Sequence, residues 1–177
     1  MNPTLRKFMA LAEEANITKG TLASQEKFMR LVQNETDITN LQRVTRGLDP
    51  VARMKVGDLI TFSYRAKYAD ELAFWDRFPL VIVTSIHEDG WSGINVHYLH
   101  PRMRARMLYE QHQHNTPVIE QELANLCVKR YLVKNVLSRP REFPEDYFDV
   151  AIQLPFENFT KRSKNMVWTD TSRKKSR

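Results

Sequence analysis

The sequence holds one cysteine, Cys127, and only five glycines among its 177 residues. A single thiol excludes an intrachain disulfide, and without a second cysteine nearby there is no thiolate zinc site. The glycines are scattered, so no glycine-rich loop wraps a phosphate, and no Gly-x-Ser-x-Gly elbow is present. No apolar run approaches the roughly 18 residues of a membrane-spanning helix. The opening stretch from Met1 to Asn16 carries Glu13 and Glu14 and lacks a small-residue cleavage site, so it does not read as a signal peptide.

Convergent acid–base or metal chemistry is also missing. His97 and His100 straddle a strand end, and His112 and His114 splay apart near a helix end. Neither pair is joined by a cysteine or a His-Glu motif. Asp70/Glu71 and Glu145/Asp146 are neighbours in loops, which gives no converging geometry. Cys127 sits in an apolar pattern and reads as a small hydrophobe. The expectation is a protein without catalytic residues, metal or cofactor, and not an enzyme. A ribonuclease using His97, or an Arg/Thr pair in a cleft, ranks below two binding readings.

What the sequence does have is charge at one end. There are 27 Lys+Arg against 21 Asp+Glu, a net charge of +6. From Lys161 onward stand seven bases and the lone acid Asp170, so residues 1–160 sum to zero. Lys161, Arg162, Lys164, Arg173, Lys174 and Lys175 are therefore candidate contacts for nucleic acid or for an acidic partner. Trp168 lies among them, and an indole buries a large area when it anchors. Arg102 and Arg106, one helical turn apart, form a second and weaker candidate.

Periodicity divides the chain into a helical N-terminal arm (1–50), a compact domain (51–160) and a basic tail (161–177). In the arm, Leu5, Phe8 and Ala12 recur at helical spacing, Gly20 ends the pattern, and Ser24 is a plausible N-cap. A second helix follows with Phe28, Leu31 and Val32 on one face. Asp58–Tyr64, Phe78–Ile86 and Gly93–Leu99 read as strands, the last two joined by a hairpin at Asp89-Gly90. The loop Lys67–Arg77 carries Tyr68, Phe74 and Trp75, large aromatics that fold back over a sheet. Residues 117–138 read as a buried helix, although Val128–Val133 alone passes for a strand. Phe148, Val150, Ile152 and Leu154 alternate and predict a closing strand. The fold class expected is α+β, a small antiparallel SH3-like or partly open barrel sheet covered by helices.

The segments Asp76-Arg77-Phe78-Pro79-Leu80-Val81 and Gly93-Ile94-Asn95-Val96-His97-Tyr98-Leu99 resemble a family of tailed-bacteriophage proteins with unassigned or virion-assembly roles. Val128-Lys129-Arg130-Tyr131 and Leu154-Pro155-Phe156-Glu157-Asn158-Phe159 are similar too, so the likeness spans roughly residues 56–170. Trp75 departs from the family pattern, where tyrosine is commoner. Asp76, Phe78, Pro79, Asn95 and His97 read physically as scaffold, with Asn95 and His97 on one sheet face bracing the loop. The resemblance implies a phage protein, assembled in the host cytoplasm and carried in the virion.

Two functions follow as expectations. The first is a non-enzymatic structural component of the tail, baseplate or neck, meeting other virion proteins in a symmetric assembly through Phe8, Phe28, Leu31 and Trp168. The second is an accessory protein that binds DNA ends, or acts in packaging, through the basic tail. No membrane partner is expected.

Overall fold

The structure, a computed structural model, describes residues 3–34, 44–45, 47–114 and 121–175, without the side chains of 122, 123 and 172–175. The chain folds as two units that interleave in sequence, where its patterning suggests three consecutive segments. Residues 1–48, 100–119 and 144–156 make the first, and 49–99, 120–143 and 157–177 the second. The interleaving arises because helices far apart in sequence share one apolar core, while the segments between them complete a sheet.

The first unit is helical. Helix α1 (Pro3–Ala15) buries Leu5, Phe8, Ala12 and Ala15, and α2 (Leu22–Gln33) buries Phe28, Met29 and Val32. Both are stripes of three- and four-residue spacing. The N-cap of α2 is Thr21 rather than Ser24: the Ser24 amide donates to Thr21 Oγ1 at 3.1 Å, and Ser24 Oγ donates back to the Thr21 carbonyl at 2.8 Å. A hydroxyl at either position satisfies the local rule, and the tight turn before Thr21 decides between them. Gly20 in that turn has φ +61°, and a Cβ there would lie 2.9 Å from the His112 side chain. Helix α3 (Pro101–His114) and the short α5 (Phe148–Gln153) complete the unit.

The second unit holds a five-stranded open antiparallel sheet of order β4-β3-β2-β1-β5. Its strands are β1 (Leu59–Thr61), β2 (Leu80–His87), β3 (Gly90–Asn95), β4 (Val128–Leu132) and β5 (Arg141–Phe143). Register runs Phe143–Leu59–Ile82–Ile94–Val128 across the sheet. Ile60, Phe62, Val81, Val83, Trp91 and Tyr131 form its core. Helices α4 (Gln121–Cys127) and α6 (Lys164–Lys175) belong to this unit. The α+β class with a partly open antiparallel sheet is thus the architecture of the chain.

Three expected elements are corrected. Residues 117–138 are not one helix: α4 stops at Cys127 and β4 begins at Val128, where β-branched and aromatic side chains pair with β3. The alternation at 148–154 belongs to helix α5, not to a strand. Val150, Ala151, Ile152 and Gln153 are all buried, so a short helix sheltered on every side imitates strand periodicity. The return strand ends at Asn95 instead of Leu99. There the Asn95 side chain accepts from the His97 amide at 3.0 Å and caps a 3-10 turn, Val96–Tyr98.

Candidate functional site

The second unit contains a cleft of about 730 Å³. One set of lining residues comes from the loop after β1, chiefly Lys67, Tyr68, Phe74 and Trp75. Another comes from β4 and the turn behind it: Lys129, Arg130, Tyr131 and Lys134. Tyr64 and Tyr98 also contribute. Cations and aromatic rings are interleaved at close range. Lys67 Nζ stands 4.8 Å from the Tyr68 ring centre, and Lys129 Nζ 4.5 Å from that of Tyr98. These distances are those of cation–π pairs.

The aromatic rings brace one another edge to face. Tyr64 meets Tyr131 at 5.0 Å between centroids, Phe62 meets Tyr131 at 5.1 Å, and Tyr98 meets Phe159 at 5.1 Å. This geometry sets the positive edge of one ring against the negative face of the next. Burial pushes the Tyr131 and Tyr98 phenols up, and the Asp76 charge adds to it. Tyr64 is raised by burial as well. Tyr68 goes the other way, because a hydrogen bond from Lys67 and that ammonium's charge favour its phenolate.

Behind the cleft, Asp76 holds the loop in place. Its carboxylate is buried and accepts three hydrogen bonds: from the Phe78 amide at 3.1 Å, from Asn95 Nδ2 at 3.1 Å and from His97 Nδ1 at 2.7 Å. Asn95 and His97 reach the same carboxylate although they are not on a common strand face. The 3-10 turn brings them together. Pro79 is buried and Phe78 half-buried beside this cluster.

The basic C-terminal segment also supports the loop. Lys161 has φ +61° and donates from Nζ to the carbonyls of Ala69 at 3.0 Å, Asp70 at 3.3 Å and Leu72 at 2.9 Å. Trp75 and Thr160 exchange backbone and side-chain bonds at 2.9 and 3.1 Å. Arg162 pairs with Asp170 and lies 5.3 Å from the Phe74 ring centre, and Lys164 reaches Glu157 at 3.7 Å. Trp168 is 7% exposed, and its indole N–H donates to the His97 carbonyl at 2.9 Å. Lys161, Arg162, Lys164 and Trp168 are thus engaged within the unit. Arg173, Lys174 and Lys175 continue α6, and their side chains lie outside the described residues.

The remaining sequence candidates lie in the first unit. Phe8 and Phe28 are wholly buried there and Leu31 is half-buried. Phe8, Phe28 and Trp168, expected as partner contacts, are buried side chains, and Leu31 is the more exposed of the four. Arg102 and Arg106 are exposed, with Arg106 4.0 Å from Glu110. Arg104, between them, is fully buried, and its guanidinium lies 3.4 Å from the carbonyls of both Ile152 and Leu154. The cleft cations Lys67, Lys129, Arg130 and Lys134 escaped the sequence reading. The signal was present in Val128-Lys-Arg-Tyr131, but a helix there places it far from the aromatic loop.

Among the described residues no helix is long and apolar enough to cross a membrane, and no group of three or more His, Cys, Asp or Glu is placed to hold a metal ion. No curated protein and no solved structure matches the chain. A family model described as phage T4 terminal DNA protecting protein matches residues 14–173. That description concerns terminal DNA and lends nothing to a tail, baseplate or neck role. With only the first 13 and the last four residues outside the match, the chain belongs to the phage T4 terminal DNA protecting protein family.

Proposed function

We propose that this phage protein binds the ends of DNA and shields them by occupying them, without chemistry on the strand. The observation that carries the reading is the cleft, where Lys67, Lys129, Arg130 and Lys134 stand among six aromatic side chains. Grooves that pair cations with stacked rings suit the phosphate backbone and the π-faces of bases. The surrounding unit has 17 Lys and Arg against 12 Asp and Glu, a surplus of five, whereas the first unit has 10 against 9. Lys67 and Lys134 make no ion pair among the described residues, so their charge is available to phosphate. The family's description supports the same ligand. In this reading the basic tail serves mainly as the brace of the cleft loop, and the end of α6 adds long-range attraction.

The test is a titration of full-length protein against a linear duplex and against the same duplex closed by hairpin caps at both ends. Tighter binding to the linear form at low salt is expected, weakening steeply as salt rises. Lys67→Ala with Lys134→Ala lowers the salt slope by about 2, one for each lost phosphate contact. Equal affinity for the capped duplex, or no binding at low salt, overturns the reading.

A further inference from the structure

The cleft is a concave site of about 730 Å³. It falls within the roughly 300–1,000 Å³ of sites that enclose small ligands. What fits is a single nucleotide whose base has left the stack. The lining matches that occupant chemically: rings for the base and the ammonium groups of Lys67, Lys129 and Lys134 for the phosphates that flank it, while the Arg130 guanidinium is paired with Asp89 at the rim.

One ring is already presented. Tyr68 is 53% exposed, in a loop whose position is fixed by Lys161 behind it. Beside it Lys67 supplies a cation at the ring. Such an arrangement costs little conformational entropy on binding, because the loop is ordered beforehand. An acidic peptide would satisfy the lysines but would leave the aromatic lining without a matching partner.

We infer that the cleft takes the base of an unpaired strand-terminal nucleotide, stacked on Tyr68, with Lys67, Lys129 and Lys134 on the adjacent phosphates. The inference rests on the proposed function and supplies its selectivity. Extracting a base from within a duplex breaks pairing and stacking on both sides, whereas an unpaired end has already met most of that cost. A site that accepts only unstacked bases therefore prefers ends without reading sequence.

The experiment uses full-length protein and a duplex with a short 3′ overhang whose last base is 2-aminopurine. A control duplex carries the same probe at an internal paired position, and a hairpin-capped duplex reports binding that needs no end. Stacking on Tyr68 changes the fluorescence of the terminal probe and leaves the internal one unchanged. Tyr68→Ala loses about tenfold in affinity for the overhang duplex, in keeping with the loss of one base–aromatic stack, and nothing for the capped duplex. Tyr68→Phe, which keeps the ring, binds and reports as the unaltered protein does. Binding to linear DNA with an unchanged terminal probe, or an unaffected Tyr68→Ala variant, overturns the inference and leaves the functional reading standing. Absence of binding to any linear duplex overturns both. So does binding of a polyglutamate peptide in place of DNA.

Discussion

The two units bury and display charge in opposite ways. In the first, the largest fully buried side chain is Arg104, held against the carbonyls of Ile152 and Leu154 at the end of α5. The Ile152 carbonyl belongs to the orphan set at a helix C-terminus, where a cation is favoured, and the Leu154 carbonyl also accepts from the Phe156 amide at 3.0 Å. Nearby, Gln153 Nε2 donates to Gln25 Oε1 at 2.6 Å. In the second unit the buried charge is the acid Asp76, satisfied by Phe78, Asn95 and His97, while Lys67 and Lys134 stay exposed at the cleft. A cation on an inner carbonyl is a fastener. An exposed cation beside an exposed ring, as Lys67 is beside Tyr68, is a contact waiting for an anion. The difference teaches that position and partners, more than the count of bases, mark the interface.

The sharpest way to break that comparison is Arg104→Ala. It removes a buried side chain and takes a donor from the Ile152 carbonyl, while the Leu154 carbonyl keeps the Phe156 amide, so it lowers stability by about 3 kcal/mol. The measure is the urea unfolding midpoint, and an unchanged midpoint would erase the distinction. Alkali tests the second unit next. Folding raises the phenol pKa of Tyr98 and Tyr131, chiefly through burial. The folded state keeps protons that the unfolded chain releases near pH 10, so stability is intact below that pH. It then falls by roughly 1.4 kcal/mol per pH unit for each tyrosine as the pH rises further. Tyrosinate absorbance and circular dichroism followed together should change in one step. The smallest effect belongs to Lys134→Ala, which shifts the urea midpoint by less than about 0.5 kcal/mol of stability, because this side chain is exposed and makes no ion pair among the described residues.

Parts of this arrangement were legible in the sequence. The β2–β3 hairpin was announced by Asp89-Gly90, although the two-residue loop is Glu88-Asp89 and Gly90 opens the return strand. A Cβ at Gly90 would come within 1.9 Å of the Tyr131 carbonyl oxygen. Phe78–Ile86 reads as a central strand because it is apolar on both faces, and β2 lies third in the sheet. The aromatic loop was visible as an anomaly. Its partner strand was legible only as an alternative, since Val128–Leu132 follows α4 without a break and continues an apolar pattern. Arg104 was concealed by residue type, yet its place in the stripe with Met107 and Leu108 is helical arithmetic. The charge of the tail was plain, and its engagement with Ala69, Asp70 and Leu72 was not, because no local rule links positions some 90 residues apart.

That same span has a consequence for how the protein comes into being. The loop of Tyr68 and Trp75 is held by Thr160 and Lys161, and His97 is roofed by Trp168. A chain still growing on the ribosome has made every ring of the cleft long before it has made these three residues. At roughly 5–20 residues per second, about 1.5 to 6 seconds of translation separate Tyr131, the last of these rings, from Thr160. The cleft is thus a late product of synthesis, and a nascent or prematurely terminated chain carries its lysines and tyrosines without the geometry that lets them work together.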